Sequence, residues 1–145
     1  MAEKGVAERV VEHWRRTGIS LKSGASAATL ADLASLLGRD LPADVRDFYA
    51  LANGMSDGET DEDVVRFWSI AKMREEQQGG QWGDSKLGFA DVLIDSWRFV
   101  LQANDSGVIV LSENVFAGAP MELVGNFTEF LELYLARSPR LRIRK

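Results

Sequence analysis

The stretch from Leu41 to Gly54, Leu-Pro-Ala-Asp-Val-Arg-Asp-Phe-Tyr-Ala-Leu-Ala-Asn-Gly, constrains the fold of this chain more than any other. Pro42 presets φ at a first helical position, where its missing N–H costs nothing. Val45, Phe48, Tyr49 and Ala52 follow at i, i+3, i+4 and i+7, which makes one apolar helix face. Asn53 and Gly54 both tolerate left-handed backbone, so the spacing predicts that they close the helix. A short amphipathic helix of this kind must bury its stripe against other elements.

The neighbouring sequence supplies them. A first helix is expected over about residues 3–17, with Val6, Val10, Val11 and Trp14 inward and Thr17-Gly18 at its end. A polar loop is expected over Ser20–Ala25. Ser26 then caps a second helix carrying Leu30, Leu33, Leu36 and Leu37, closed by Gly38. Past Gly54 an acidic loop over residues 57–63 is expected to contribute nothing to the core. A strand over Val64–Trp68 follows, then a helix from Ser69 to about Gln77 and a glycine-rich loop over Gln78–Ser85. Strands are predicted over Gly88–Leu93 and Ser96–Ala103, with Trp97, Phe99 and Leu101 on one face. Asn104-Asp105-Ser106-Gly107 is turn chemistry, and Val108–Leu111 opens the partner strand. A loop at Ala117–Pro120 precedes a strand at Met121–Val124. Asn126 caps a last helix whose stripe is Phe127, Phe130, Leu131, Tyr134 and Leu135, and Ser138-Pro139 stops it. Helices, then strands, then a closing helix argue an α+β domain, mostly antiparallel sheet with N-terminal helices, rather than alternating α/β.

At 145 residues the chain is read as one domain over 1–137 with a basic tail at 138–145. It holds no cysteine, which excludes disulfides and thiolate ligation and fits a reducing cytoplasm. No apolar run is long enough to span a membrane, and the Met-Ala-Glu-Lys start has no apolar signal core. Net charge is −5, yet Arg137, Arg140, Arg142, Arg144 and Lys145 all fall in the last nine residues, so residues 1–136 carry −10. An acidic body argues against nucleic acid as a partner and favours attraction to something basic. The same acidity also serves solubility.

Catalysis finds little to work with. His13 is the one histidine, so any Ser–His–Asp system would rest on a residue set in a charged helix among Glu12, Arg15 and Arg16. Asp57, Glu59, Asp61 and Asp63 alternate like the opening of a calcium loop, but Glu62 replaces the required glycine and Trp68 the closing glutamate. Asp91 and Asp95 could share a strand face as paired carboxylates, although Asp95-Ser96 also reads as a turn. Neither Gly79-Gly80-Gln81-Trp82-Gly83 nor Lys22-Ser23-Gly24 makes a phosphate loop. Trp14, Trp68 and Trp97 read as core; Trp82 is either tucked onto the core or held out as an anchor. The arginine-rich tail reads as solvated, or as a contact for an acidic surface or phosphate.

Four segments carry a likeness to a known family. They are the Leu41–Gly54 helix, the Phe67-Trp68-Ser69-Ile70 junction, Phe89-Ala90-Asp91, and the Phe127–Leu135 helix with its Phe-x-x-Phe-Leu pattern. Together they resemble the Smi1/Knr4 family (SUKH superfamily) over roughly Ala28–Leu135. One departure is that Asp91–Ser96 stands where relatives often carry a glycine-rich turn, which marks a divergent branch. The resemblance implies a mostly antiparallel sheet with packed helices and a binding protein rather than an enzyme; from the residues themselves, no cofactor and no metal are expected. It further implies an immunity protein that neutralises a bacterial toxin, often a nuclease, by stoichiometric occlusion; the alternative is a regulatory scaffold without a toxin partner. The partner expected is a protein with a basic active-site cleft, with no nucleic acid and no membrane; the oligomeric state stays open. From charge and loop placement alone, the expected contacts are Asp57, Glu59, Asp61, Glu62, Asp63, Glu75, Glu76, Trp82 and Asp84.

Overall fold

A computed structural model describes residues 5–78, 86–92, 97–104, 107–114, 121–138 and 141. Its backbone of order is a five-stranded antiparallel meander: β3 (Val65–Phe67), β4 (Lys86–Val92), β5 (Trp97–Asn104), β6 (Gly107–Asn114) and β7 (Met121–Val124), paired in chain order. The remaining elements are α1 (Val6–Arg16), β1 (Leu21–Ser23), α2 (Ala27–Leu37), α3 (Ala43–Leu51), β2 (Ala52–Met55), α4 (Ile70–Gln78) and α5 (Phe127–Leu135). The fold is α+β, as expected.

Local signals explain most element ends. Ser26 accepts the Thr29 N–H at the start of α2, and Gly38 ends it at φ 86°. Asn126 accepts the Glu129 N–H at 2.8 Å to open α5. Asn104 accepts the Gly107 N–H at 2.8 Å, closing the β5–β6 turn.

Three local expectations are corrected. Ser20–Ala25 is not all loop, because Leu21–Ser23 pairs antiparallel with Ala52–Met55 as a small second sheet. Pro42 is the N-cap of α3, one position before the helix it was expected to begin. Asn53 and Gly54 do not cap α3, which ends on the extended Ala52; they lie in β2 and serve a distant contact instead. The Asn53 side chain accepts the Ile70 N–H at 2.9 Å, capping α4 from seventeen residues away. Gly54 has φ 78°, and a Cβ there would sit 2.5 Å from the Trp68 carbonyl, so only glycine admits this approach. The Leu-Pro helix and the Phe67–Ile70 junction are thus bolted together through an Asn-Gly pair.

The core between the sheet and α1, α3 and α5 is aromatic. Phe67 meets Trp14 at 4.8 Å and Tyr134 at 5.0 Å between ring centroids; Phe130 meets Phe99 at 4.9 Å and Phe89 at 5.1 Å. Edge-to-face pairs of this kind contribute about 0.5–1.5 kcal/mol each beyond burial. Strand β4 turns both Phe89 and Ala90 toward this core through a bulge, since Gly88 pairs with Val100 and Ala90 with Phe99. The bulge sends Asp91 to the opposite face, where its buried carboxylate accepts Arg66 Nη2 at 2.7 Å and the Trp68 indole N–H. That placement makes Asp91 part of a sheet lock; Asp95, the other half of the suggested carboxylate pair, lies outside the described residues. Trp14 and Trp68 are buried, whereas Trp97 is half-buried. Leu141, within the segment read as a solvated tail, is also buried.

Candidate functional site

The acidic loop between β2 and β3 is fixed at three points. At its entry the Ser56 N–H donates to the Ser20 carbonyl at 2.9 Å, and the two serine hydroxyls meet at 2.9 Å. Glu59 turns back to accept the Ser20 N–H at 3.1 Å. At its exit, Asp61 folds inward. One carboxylate oxygen accepts the N–H groups of Asp63 (2.8 Å) and Val65 (3.0 Å), and the other accepts the Tyr134 hydroxyl. Tyr134 in turn accepts the Trp14 indole N–H at 2.8 Å. The expectation that residues 57–63 add nothing to the core therefore fails at Asp61, which is 9% exposed and completes a buried polar chain. Satisfied in this way, a buried carboxylate is tolerated and fixes its loop. Val64 beside it adopts φ 61°, a strained value for a β-branched residue, held by the bonds on either side.

Burial, and after it the Asp61 charge, raise the Tyr134 phenol well above its usual range. The phenol thus stays a donor to Asp61 at every ordinary pH.

The third point of attachment is Arg137, just past α5 and itself at φ 55°. It reaches Glu62 at 3.2 Å and Asp63 at 3.2 Å. Asp57 stands almost fully exposed, 3.5 Å from Lys22. Two clefts flank the loop. One, of about 390 Å³, is lined by His13, Asp61, Glu62, Asp63, Tyr134 and Arg137. The other, of about 310 Å³, is lined by Asp57, Arg66, Trp68, Lys72 and Glu75 among others.

The structure brings some of the expected contact residues together and separates others. Asp57 and Glu75 share the second cleft, and Glu62 and Asp63 edge the first. Glu76 is half-buried and turns to Lys72 (3.7 Å) and Arg98 (4.0 Å). Asp61 points inward. Trp82 and Asp84 lie outside the described residues. The four alternating acids do not converge on a common point, and among the described residues no group of three or more His, Cys, Asp or Glu side chains could hold a metal ion. Among the described residues no helix is long and apolar enough to cross a membrane.

The residues that sequence reasoning missed are the counter-cations Lys22 and Arg137 and the hydroxyl of Tyr134. Lys22 sits in a segment read as loop, and Arg137 is the last residue before the segment read as a basic tail. Neither carries a local signal, because each meets the acidic loop only through the fold.

Residues 24–133 match the SMI1 / KNR4 family (SUKH-1), about three-quarters of the chain. The chain belongs to that family. No curated protein matches it. The matched span contains the acidic loop, both partners of the Asn-Gly junction and most of α5; Trp14, Tyr134 and Arg137 lie just outside it.

Proposed function

From membership of SUKH-1, we propose that this chain is a non-catalytic immunity protein that binds a toxin with a basic active-site cleft and blocks it by occlusion. The observation that carries the reading is the fixed acidic loop. Its backbone is tied down from inside by Asp61, while Asp57 and Glu62 stand exposed on its outer side and Glu59 and Asp63 are half-buried. A preorganised loop loses little entropy on binding. Its charges would draw a cationic cleft in from a distance and raise the association rate more than the affinity. Lys22 and Arg137 temper that field, so two exposed and two half-buried acids act against two bases. Glu75 extends the same negative rim, and Trp82 and Asp84 complete the proposed contact set.

The test is association kinetics with the product of the neighbouring gene, at low and high salt. Wild type is compared with the triple variant Asp57→Asn, Glu59→Gln, Glu62→Gln, which leaves Asp61 in place. The variant should associate at least about ten times more slowly at low salt and converge on wild type at high salt. Equal rates at low salt would remove the acidic loop from the interface. Turnover of a substrate by the purified chain would remove the non-catalytic reading altogether.

A further inference from the structure

Meeting the acidic loop at Lys22, α1 and the end of α3 form a second surface with a different logic. Leu51 is a large apolar side chain left 39% exposed. It lines two adjoining clefts. The first, about 560 Å³, carries Val6, Ala50, Glu8 and Asp47; the second, about 400 Å³, carries Ile19, Leu21, Arg15 and Lys22. Glu8 and Arg15 are seven residues apart, so they share one face of α1 about 10 Å apart along its axis. Both are exposed. The surface is therefore an apolar midline at Leu51 with acids at one end and bases at the other.

A surface of this pattern is complementary to itself after a half-turn. An isologous interface requires that the patch at one end meet the patch at the other end in the partner, reciprocally. We propose that a second copy of this chain docks here, with the two α1 helices antiparallel, Leu51 near the two-fold axis, and Glu8 facing Arg15 of the other copy in both directions. Antiparallel helices also place opposite dipole ends side by side. The charge pairs are at the rim and contribute little each, and the apolar centre is small, so the dimer is weak, with a dissociation constant of about 10–200 µM. The inference does not depend on toxin binding.

Sedimentation equilibrium of the full chain from about 5 to 500 µM at low salt tests it, a range that brackets the expected affinity. Wild type should rise from 16.0 kDa toward twice that mass. Leu51→Asp should raise the dissociation constant at least about tenfold, with an unchanged circular dichroism spectrum because the side chain is exposed. Glu8→Arg and Arg15→Glu should each be monomeric alone, since each sets like charges face to face. Mixed in equal amounts they should associate, because every pair across the axis is then opposite in sign. A wild type of 16.0 kDa throughout the range, or single-charge variants that stay monomeric when mixed, would overturn the proposal.

Discussion

Two tyrosines occupy the core and differ in one respect. Tyr49 on α3 and Tyr134 on α5 are both buried, and burial raises both phenols well above their usual range. Both sit in apolar helical stripes and both stack edge-on against neighbouring rings, Tyr49 with Phe48 and Tyr134 with Phe67. Yet the Tyr134 hydroxyl links Trp14 to Asp61, while the Tyr49 hydroxyl has no hydrogen-bond partner among the described residues. The first is a structural bolt joining helix α1, the acidic loop and helix α5. The second is a polar atom carried into the core at a cost. Burial and aromatic packing alone do not distinguish a functional hydroxyl from an idle one; the geometry of its partner does.

The largest way to break the contrast is to remove the acceptor. Asp61→Ala leaves the N–H groups of Asp63 and Val65 and the Tyr134 hydroxyl without it. Each orphaned buried donor costs about 1–3 kcal/mol, and water from the adjoining cleft recovers part of this, so a loss of about 3 kcal/mol is expected. Thermal or urea unfolding reads it directly. Val64 should also relax from its left-handed backbone, and amide exchange at Asp63 and Val65 should accelerate. A loss below about 1 kcal/mol would mean that Asp61 does not fix the loop.

Tyr134→Phe is the next step down. It strands one carboxylate oxygen of Asp61 and the Trp14 indole N–H but keeps the ring, so a loss of about 2 kcal/mol is expected. Asp61→Ala and Tyr134→Phe should be clearly non-additive, since both remove one shared bond. Additive losses would break the chain of contacts into unrelated parts.

Alkaline unfolding is where the two tyrosines should behave alike. In each, the folded phenol is raised above the unfolded value near 10, so the folded state keeps a proton that the unfolded state releases. Their contribution is fully present below about pH 10 and falls by about 1.4 kcal/mol per tyrosine for each pH unit above it. Tyr49→Phe and Tyr134→Phe should each remove one tyrosine's share of that slope. A slope unchanged in one variant would show that its phenol already ionises normally in the folded chain.

How far such distinctions could be read beforehand depends on where their causes lie. The caps at Ser26 and Asn126, the Asn104–Gly107 turn and the Phe127–Leu135 stripe were legible because each depends on residues within a turn of one another. Strand β1 was not, because three residues become a strand only when β2, thirty residues on, lies beside them. Asn53-Gly54 was misread for a related reason. The pair looks like a helix stop, but its conformation is spent on Ile70 and the Trp68 backbone. Within the acidic run no residue type separates Asp61 from Asp57 or Asp63. The N–H groups of Asp63 and Val65 and the Tyr134 hydroxyl, 73 residues away, together select Asp61 as the inward one. The order of elements apart from β1 and β2 was therefore legible, and the division of the candidate site into pins, counter-ions and free charges was not.

The smallest expected effect is the most discriminating. Tyr49→Phe removes a buried hydroxyl that has no partner among the described residues to lose. The unfolded chain gives up a hydrated hydroxyl, and the folded chain gives up only the penalty of burying it. What remains is a void the size of one oxygen among Phe48 and its neighbours, a minor packing loss. The balance is zero to about 1 kcal/mol in favour of the variant, opposite in sign to Tyr134→Phe. Calorimetry of the two single variants at neutral pH reads the sign without reference to any partner protein. Should Tyr49→Phe lower the melting temperature as far as Tyr134→Phe does, the Tyr49 hydroxyl would have a bound water or side chain to satisfy it, and the two tyrosines would be equivalent after all.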